Sequence, residues 1–162
     1  MFPAHIRKLA EHVLDEARSK GLHIATAESC TGGLIAGALT EILGSSDVVD
    51  RGFVVYTNQA KTDLLGVPAG LIARFGAVSE DVARAMAEGA LKHSEAQLAV
   101  SCTGIAGPSG GSAEKPVGLV HLAAARAGQT TLHAECRFGD IGRDSVRIKS
   151  VEEALKLLFQ AM

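Results

Sequence analysis

Apolar residues recur at helical spacing from the start of the chain. Ile6, Leu9, Ala10, Val13, Leu14 and Ala17 form one stripe with charged residues between them. Pro3 suits the first turn of that helix and Lys20-Gly21 its end. The pattern then changes to a short apolar run at 22–27, which predicts a strand. From Thr31 the helical spacing returns, with Leu34, Ile35, Ala38, Leu39 and Ile42 on one face, and it stops by Gly44. Residues 52–57 carry Phe53, Val54, Val55 and Tyr56 and predict a second strand. Asn58 suits the cap of a short helix reaching Leu65, and Val67-Pro68 starts a further helical turn to Phe75.

Ser79-Glu80-Asp81 opens the next helix, with acidic side chains in its first turn. Small residues crowd that helix (Ala83, Ala85, Ala87, Gly89, Ala90), so it can lie close against a sheet. Residues 97–103 read as a third strand and 104–116 as a loop dense in Gly, Pro and Ser. Two further strands, 117–126 and 130–138, flank Ala127-Gly128-Gln129 and predict a hairpin. A closing helix runs from Arg143 to about Phe159, with Ile148, Val151, Leu155 and Leu158 inward. Strand and helix alternate first, and a hairpin and a helix finish the chain. That order predicts an α/β fold, a three-layer α/β/α sandwich around a mixed, mostly parallel sheet, in a single domain over residues 1–162.

Composition narrows the function. Hydrophobic residues make up 47% of the chain, but there are only five Phe, one Tyr and no Trp. Packing therefore falls to Ala, Val, Leu, Ile and Gly, which favours helices close on a sheet over an aromatic-lined groove. Sixteen basic residues face eighteen acidic ones, a formal net charge of -2, so bulk electrostatics draw the chain to neither nucleic acid nor an anionic membrane. Cys30, Cys102 and Cys136 are far apart and form no CxxC pair. That argues for reduced thiols in the cytoplasm and against a disulfide framework or a zinc cage. The six histidines show no HxxxH or HxH spacing, so no protein-built metal site is expected; no cofactor is expected either. The first 17 residues mix charges with apolar positions, unlike a signal peptide or a membrane span.

Ligands of open α/β sheets sit beyond the carboxyl ends of the strands. Three segments here leave a strand and enter polar or Gly-rich chain. In the first, Glu28-Ser29-Cys30-Thr31-Gly32-Gly33, Ser29 sits at a strand-to-helix turn as a nucleophile would. The glycines there would let an oxyanion or other anion approach free amides. Ser29 or Thr31 fits equally as a helix cap. In the second, Tyr56 ends a strand and Lys61 follows in a helix. Lys61 would be the general base for Ser29, with Tyr56 orienting it or relaying the proton; a solvated surface lysine is the other reading. A lysine serves as base at neutral pH only if burial lowers its pKa well below the usual value of about 10.4. In the third, Thr103 and Gly104, Ala106 and Gly107 form a backbone-lined cradle or an ordinary connection. Arg143 and Lys115 are candidate partners for a phosphate.

These segments, together with Gly44-Ser45-Ser46, Arg51-Gly52-Phe53-Val54-Val55-Tyr56, Gly76-Ala77-Val78-Ser79-Glu80, Thr103-Gly104-Ile105-Ala106-Gly107-Pro108-Ser109-Gly110-Gly111 and Lys115-Pro116-Val117-Gly118, closely resemble the CinA C-terminal domain family of PncC-type nicotinamide-nucleotide amidohydrolases. The resemblance spans nearly the whole chain and keeps the segments in order. It implies hydrolysis of nicotinamide mononucleotide to nicotinate mononucleotide and ammonia in pyridine-nucleotide salvage. It also implies Ser29, Tyr56 and Lys61 as catalytic residues. Glu28, Cys30, Thr31, Gly32, Gly33, Thr103, Gly104, Ala106, Gly107 and Arg143 are the expected substrate contacts, and a homo-oligomer the expected assembly. Thr103 stands where some relatives carry Ser, which keeps the hydroxyl. Longer relatives have an N-terminal domain with metal-dependent chemistry that is not expected here. The rival readings are a non-catalytic nucleotide-binding module, and a regulatory protein of the competence or damage-inducible type. The balanced charge and scarce aromatics argue against direct DNA contact.

Overall fold

Five strands and six helices carry out the alternation. In the computed structural model, which describes all 162 residues, the order is α1 (Ala4–Ser19), β1 (Ile24–Glu28), α2 (Leu34–Thr40), a 3-10 turn (Ser45–Asp47), β2 (Val49–Val54), α3 (Asn58–Leu65), α4 (Ala69–Phe75), α5 (Glu80–Lys92), β3 (Leu98–Gly104), β4 (Leu119–Arg126), β5 (Leu132–Arg137) and α6 (Arg143–Gln160). The sheet order is β2-β1-β3-β4-β5. β1 pairs parallel with β2 and β3; β4 is antiparallel to β3 and β5 to β4, so four of the five strands point the same way.

The helices divide between the two faces. Ile6, Leu14, Ile35, Leu39, Leu155 and Leu158 from α1, α2 and α6 pack on Ile24, Leu98, Val100 and Leu122. On the other face Leu65, Ile72, Val82 and Met86 from α3, α4 and α5 pack on Ala25, Ala27 and Ala99. Every residue of β1 is therefore buried, Thr26 and Glu28 included, and Ile24, Ala25 and Ala27 supply its apolar signal. The small residues of α5 act as expected. Ala83 and Ala87 meet Ala123 and Ala125 of β4. Gly89 lies so close to α3 that a β-carbon there would overlap the backbone carbonyl of Leu65. Gly89→Ala is expected to destabilise the fold by about 1–3 kcal/mol or more, read as a lower urea midpoint.

The strands other than β2 shift by one or two residues from the expected bounds, and three further differences have a local reason. The second strand occupies Val49–Val54, not 52–57, because exposed Asp50 and Arg51 on this edge strand break the apolar signal. The cap of α3 is Thr57, whose hydroxyl accepts from the Ala60 amide at 3.1 Å, not Asn58. Helix α2 starts at Leu34, not Thr31, because Gly32 and Gly33 hold left-handed φ values of 59° and 98°.

Candidate active site

Because β1, β2 and β3 are parallel neighbours, their carboxyl ends open on one place. The three loops expected to meet do meet, around a pocket of about 270 Å³. Ser29 and Cys30 come from the first loop, Tyr56, Asn58 and Lys61 from the second, and residues 103–107, 109 and 110 from the third, Thr103, Gly104, Ala106 and Gly107 among them. Ala77 and Val78, just before α5, and Arg143, opening α6, complete the lining. Asn58 and Ser109 were not singled out by sequence. A capping residue and a loop serine carry no local sign of what they face.

Lys61 is not a solvated lysine. It is 1% exposed, the largest fully buried side chain in the protein. From the first turn of α3 its side chain reaches back under the chain, and Nζ lies 3.1 Å from Ser29 Oγ. It also lies 3.0 Å from the Val55 carbonyl, 3.4 Å from that of Tyr56 and 3.5 Å from that of Thr57. No carboxylate pairs with it. Burial lowers its pKa, opposed only by the neighbouring Cys30. An uncharged Nζ has two N–H donors and one lone pair. In that neutral form, with the donors on the carbonyls, the lone pair is left for the Ser29 hydroxyl, an arrangement in which Lys61 is able to take a proton from Ser29.

The turn carrying Ser29 is fixed from several sides. The Ser29 amide donates to the Cys102 carbonyl at 2.9 Å, and the Gly32 amide donates to the Ser29 carbonyl at 3.1 Å. Glu28, expected to contact substrate, is fully buried and does something else. Its carboxylate accepts from the amides of Gly33, Ile35 and Ala36 at 3.0, 2.9 and 2.8 Å, and from Thr26 Oγ1 at 3.1 Å. The start of α2, read from sequence as open to an anion, already holds this one. Gly32 and Gly33 thus serve backbone conformation and do not line the pocket, and Thr31 is buried outside it. The amide of Cys30, which lines the pocket, donates to no protein acceptor and is free to meet an oxyanion at this turn.

Arg147, which the sequence reading did not select, holds this turn from α6. Its Nε donates to the Cys30 carbonyl and its Nη2 to the Thr31 carbonyl, each at 3.1 Å. Its partners lie more than a hundred residues away in sequence, so no local pattern marks it. Arg147→Ala is expected to lower kcat by up to about 10²-fold with little change in KM, because it shifts the turn that carries Ser29 without touching the pocket. Steady-state kinetics on the purified variant checks this.

The remaining wall suits an anion. No Asp or Glu lines the pocket, whereas Lys61 and Arg143 do. Arg143 donates through Nη1 to the Gly107 carbonyl at 2.8 Å and through Nη2 to the Tyr56 hydroxyl at 3.4 Å. Tyr56 is 62% exposed, and its hydroxyl contacts neither Ser29 nor Lys61, so it is not placed as their proton relay. The amides of Ala106, Gly107, Ser109 and Gly110 donate to no protein acceptor. Thr103 gives its hydroxyl proton to the Ala77 carbonyl at 2.8 Å, which leaves only its lone pairs for a ligand. Gly104 and Gly107 have a packing reason to be glycine: a β-carbon would come within 2.7 Å of Val120 and 2.6 Å of Val117, respectively.

The sequence and the fold are similar to those of known proteins. Residues 6–162 match the family described as the CinA C-terminal domain. The nicotinamide-nucleotide amidohydrolase PncC of Escherichia coli K12 is 47% identical over 161 residues, covering 99% of this chain and 96% of that protein. A CinA-like protein of Anaeromyxobacter dehalogenans is 50% identical over 155 residues, 96% of this chain but only 38% of that protein, so the chain spans about two fifths of such longer relatives. Among solved structures, the competence/damage inducible protein CihA of Agrobacterium tumefaciens superposes with a TM-score of 0.98 at 57% identity, covering 99% of this chain and 98% of that one. A CinA superfamily protein of Escherichia coli gives a TM-score of 0.92 at 34% identity, covering 100% and 94%.

Proposed function

The chain belongs to the CinA C-terminal domain family, and from that membership we propose that it is a nicotinamide-nucleotide amidohydrolase, converting nicotinamide mononucleotide to nicotinate mononucleotide and ammonia. The name and near-complete overlap of the Escherichia coli amidohydrolase support the substrate. The observation that carries the chemistry is the 3.1 Å approach of buried Lys61 Nζ to Ser29 Oγ.

Ser29 Oγ attacks the carboxamide carbon while Lys61 takes its proton. The carbonyl oxygen becomes an oxyanion facing the free amide of Cys30. The carbon–nitrogen bond then breaks, and the Lys61 ammonium returns the proton to the departing nitrogen. Water, deprotonated by Lys61, attacks the acyl carbon; the bond from that carbon to Ser29 Oγ breaks, and the Lys61 ammonium returns its proton to Ser29. Arg143 and the free amides of the third loop receive the phosphate. Tyr56, implied by the resemblance as catalytic, acts here as a pocket wall beside Arg143. Every proton has a carrier in this scheme, so no cofactor is called on.

Incubating the purified protein with nicotinamide mononucleotide and following ammonia tests the reading. Stoichiometric ammonia and nicotinate mononucleotide are expected. Tight nucleotide binding with no ammonia would replace it with the non-catalytic binding module.

A further inference from the structure

Two thiols meet directly behind the nucleophile. Cys30 follows Ser29 in the turn after β1, Cys102 lies within β3, and their sulfurs are 3.5 Å apart. Cys30 lines the pocket at 6% exposure, whereas Cys102 is fully buried. All three cysteines are free, and the hydrolytic reaction uses none of their sulfurs. We propose that Cys30 and Cys102 form a modification site for hydroperoxides, at which Cys30 is oxidised first and Cys102 then closes a disulfide that disables Ser29.

The division of labour follows from the surroundings. Cys30 faces the pocket while Cys102 is sealed inside the sheet; with Cys102 as the S–H donor their contact lowers the Cys30 pKa, while the same contact and burial raise that of Cys102. The thiol that faces the pocket is therefore the one favoured as thiolate. Cys136 is half-buried on β5, where burial pushes its pKa to about 11, so it stays a thiol.

The Cys30 sulfur attacks one peroxide oxygen. A sulfur–oxygen bond forms, the oxygen–oxygen bond breaks, and the leaving oxygen departs with the Cys30 thiol proton as water or an alcohol. Cys30 is then a sulfenic acid. The Cys102 sulfur attacks the Cys30 sulfur, the sulfur–oxygen bond breaks, and hydroxide leaves with the Cys102 proton as water. Two thiols lose two electrons and the peroxide gains them.

A disulfide brings two sulfurs to about 2.05 Å, so this pair must close by roughly 1.5 Å from its 3.5 Å separation. Cys102 is paired on both sides within the sheet, with Glu28 of β1 and Leu122 of β4. The movement therefore falls on Cys30 and its turn. Ser29 shares that turn, and its approach to Lys61 shifts with it. A misplacement on the order of 1 Å costs about 10²-fold in rate.

The loss of activity rests on the amidohydrolase reading, but the chemistry at sulfur does not. Reduced protein is treated with hydrogen peroxide at neutral pH. Free thiols are counted after denaturation, intact mass is measured, cross-linked peptides are mapped, and deamidation is followed before and after dithiothreitol. The three thiols are expected to fall to one, the mass to drop by two hydrogens, and residues 30 and 102 to appear in one linked peptide pair. Deamidation is expected to fall by about 10²-fold and return with dithiothreitol. Cys102→Ala, compared with its own untreated activity, is expected to gain oxygen instead of losing hydrogen. Three persisting thiols, linkage through Cys136, or a Cys30–Cys102 disulfide with unchanged deamidation would overturn the proposal. A protein that never released ammonia would sink the amidohydrolase reading, while the thiol and mass results would still judge the site.

Discussion

Lys61→Ala and Lys61→Arg are both expected to lose roughly 10²–10⁴-fold in deamidation, with nucleotide binding kept within a few-fold. Alanine removes the base. Arginine keeps a cation but its guanidinium stays protonated at any working pH, so it cannot take the Ser29 proton. The pH profile gives the sign. Burial lowers the Lys61 pKa, so wild-type activity should rise with pH as Lys61 becomes neutral and fall as pH drops through its lowered value. Turnover for the three proteins from pH 5 to 9, with binding measured separately, decides the matter; an active Lys61→Arg would overturn the base. Stability carries the same signature. In the window between the lowered folded pKa and the unfolded value of about 10.4, the unfolded chain binds more protons, so stability rises with pH there. As pH falls through the folded pKa that contribution is lost. Lys61→Met should accordingly melt higher than wild type at neutral pH while being inactive, which thermal melts at several pH values would register.

Ser29→Ala should abolish turnover, by on the order of 10⁶-fold if it behaves as other activated serine nucleophiles do. The fold should be unchanged, because the turn is held through the backbone of residue 29 and not its hydroxyl. Hydroxylamine adds a second measurement. With an acyl-enzyme present, it should divert wild-type product from nicotinate mononucleotide to the hydroxamate in the step after ammonia release. Near-normal turnover by a folded Ser29→Ala would instead mean that water attacks the carboxamide directly.

The layers of the fold were legible because β1, β3 and β4 are covered on both faces and read as apolar runs, while α1, α5 and α6 show one-sided spacing. The edge strand was harder. Asp50 and Arg51 face water there, so the visible apolar stretch begins too late. At the site, the general position was legible because strand ends and loop glycines are local features. The use of individual side chains was not. Glu28 sits beside the nucleophile in sequence, yet its carboxylate turns to the amides of α2. Lys61 and Arg147 differ from surface cations only in what the fold places around them. Arg147 reaches across from α6 to Cys30 and Thr31, a contact that exists only once the closing helix has packed.

The cage around Lys61 is made of main-chain carbonyls from Val55, Tyr56 and Thr57. Every residue type supplies such a carbonyl, so the side chains at these three positions can drift in evolution without removing the groups that grip the base. Chain length between them and Lys61 has no such freedom. One inserted or deleted residue would rotate the lysine by about 100° around α3 and carry Nζ out of the cage. This stretch should therefore tolerate substitution and resist insertion, and a lineage could change the pocket wall through position 56 while inheriting the proton transfer intact.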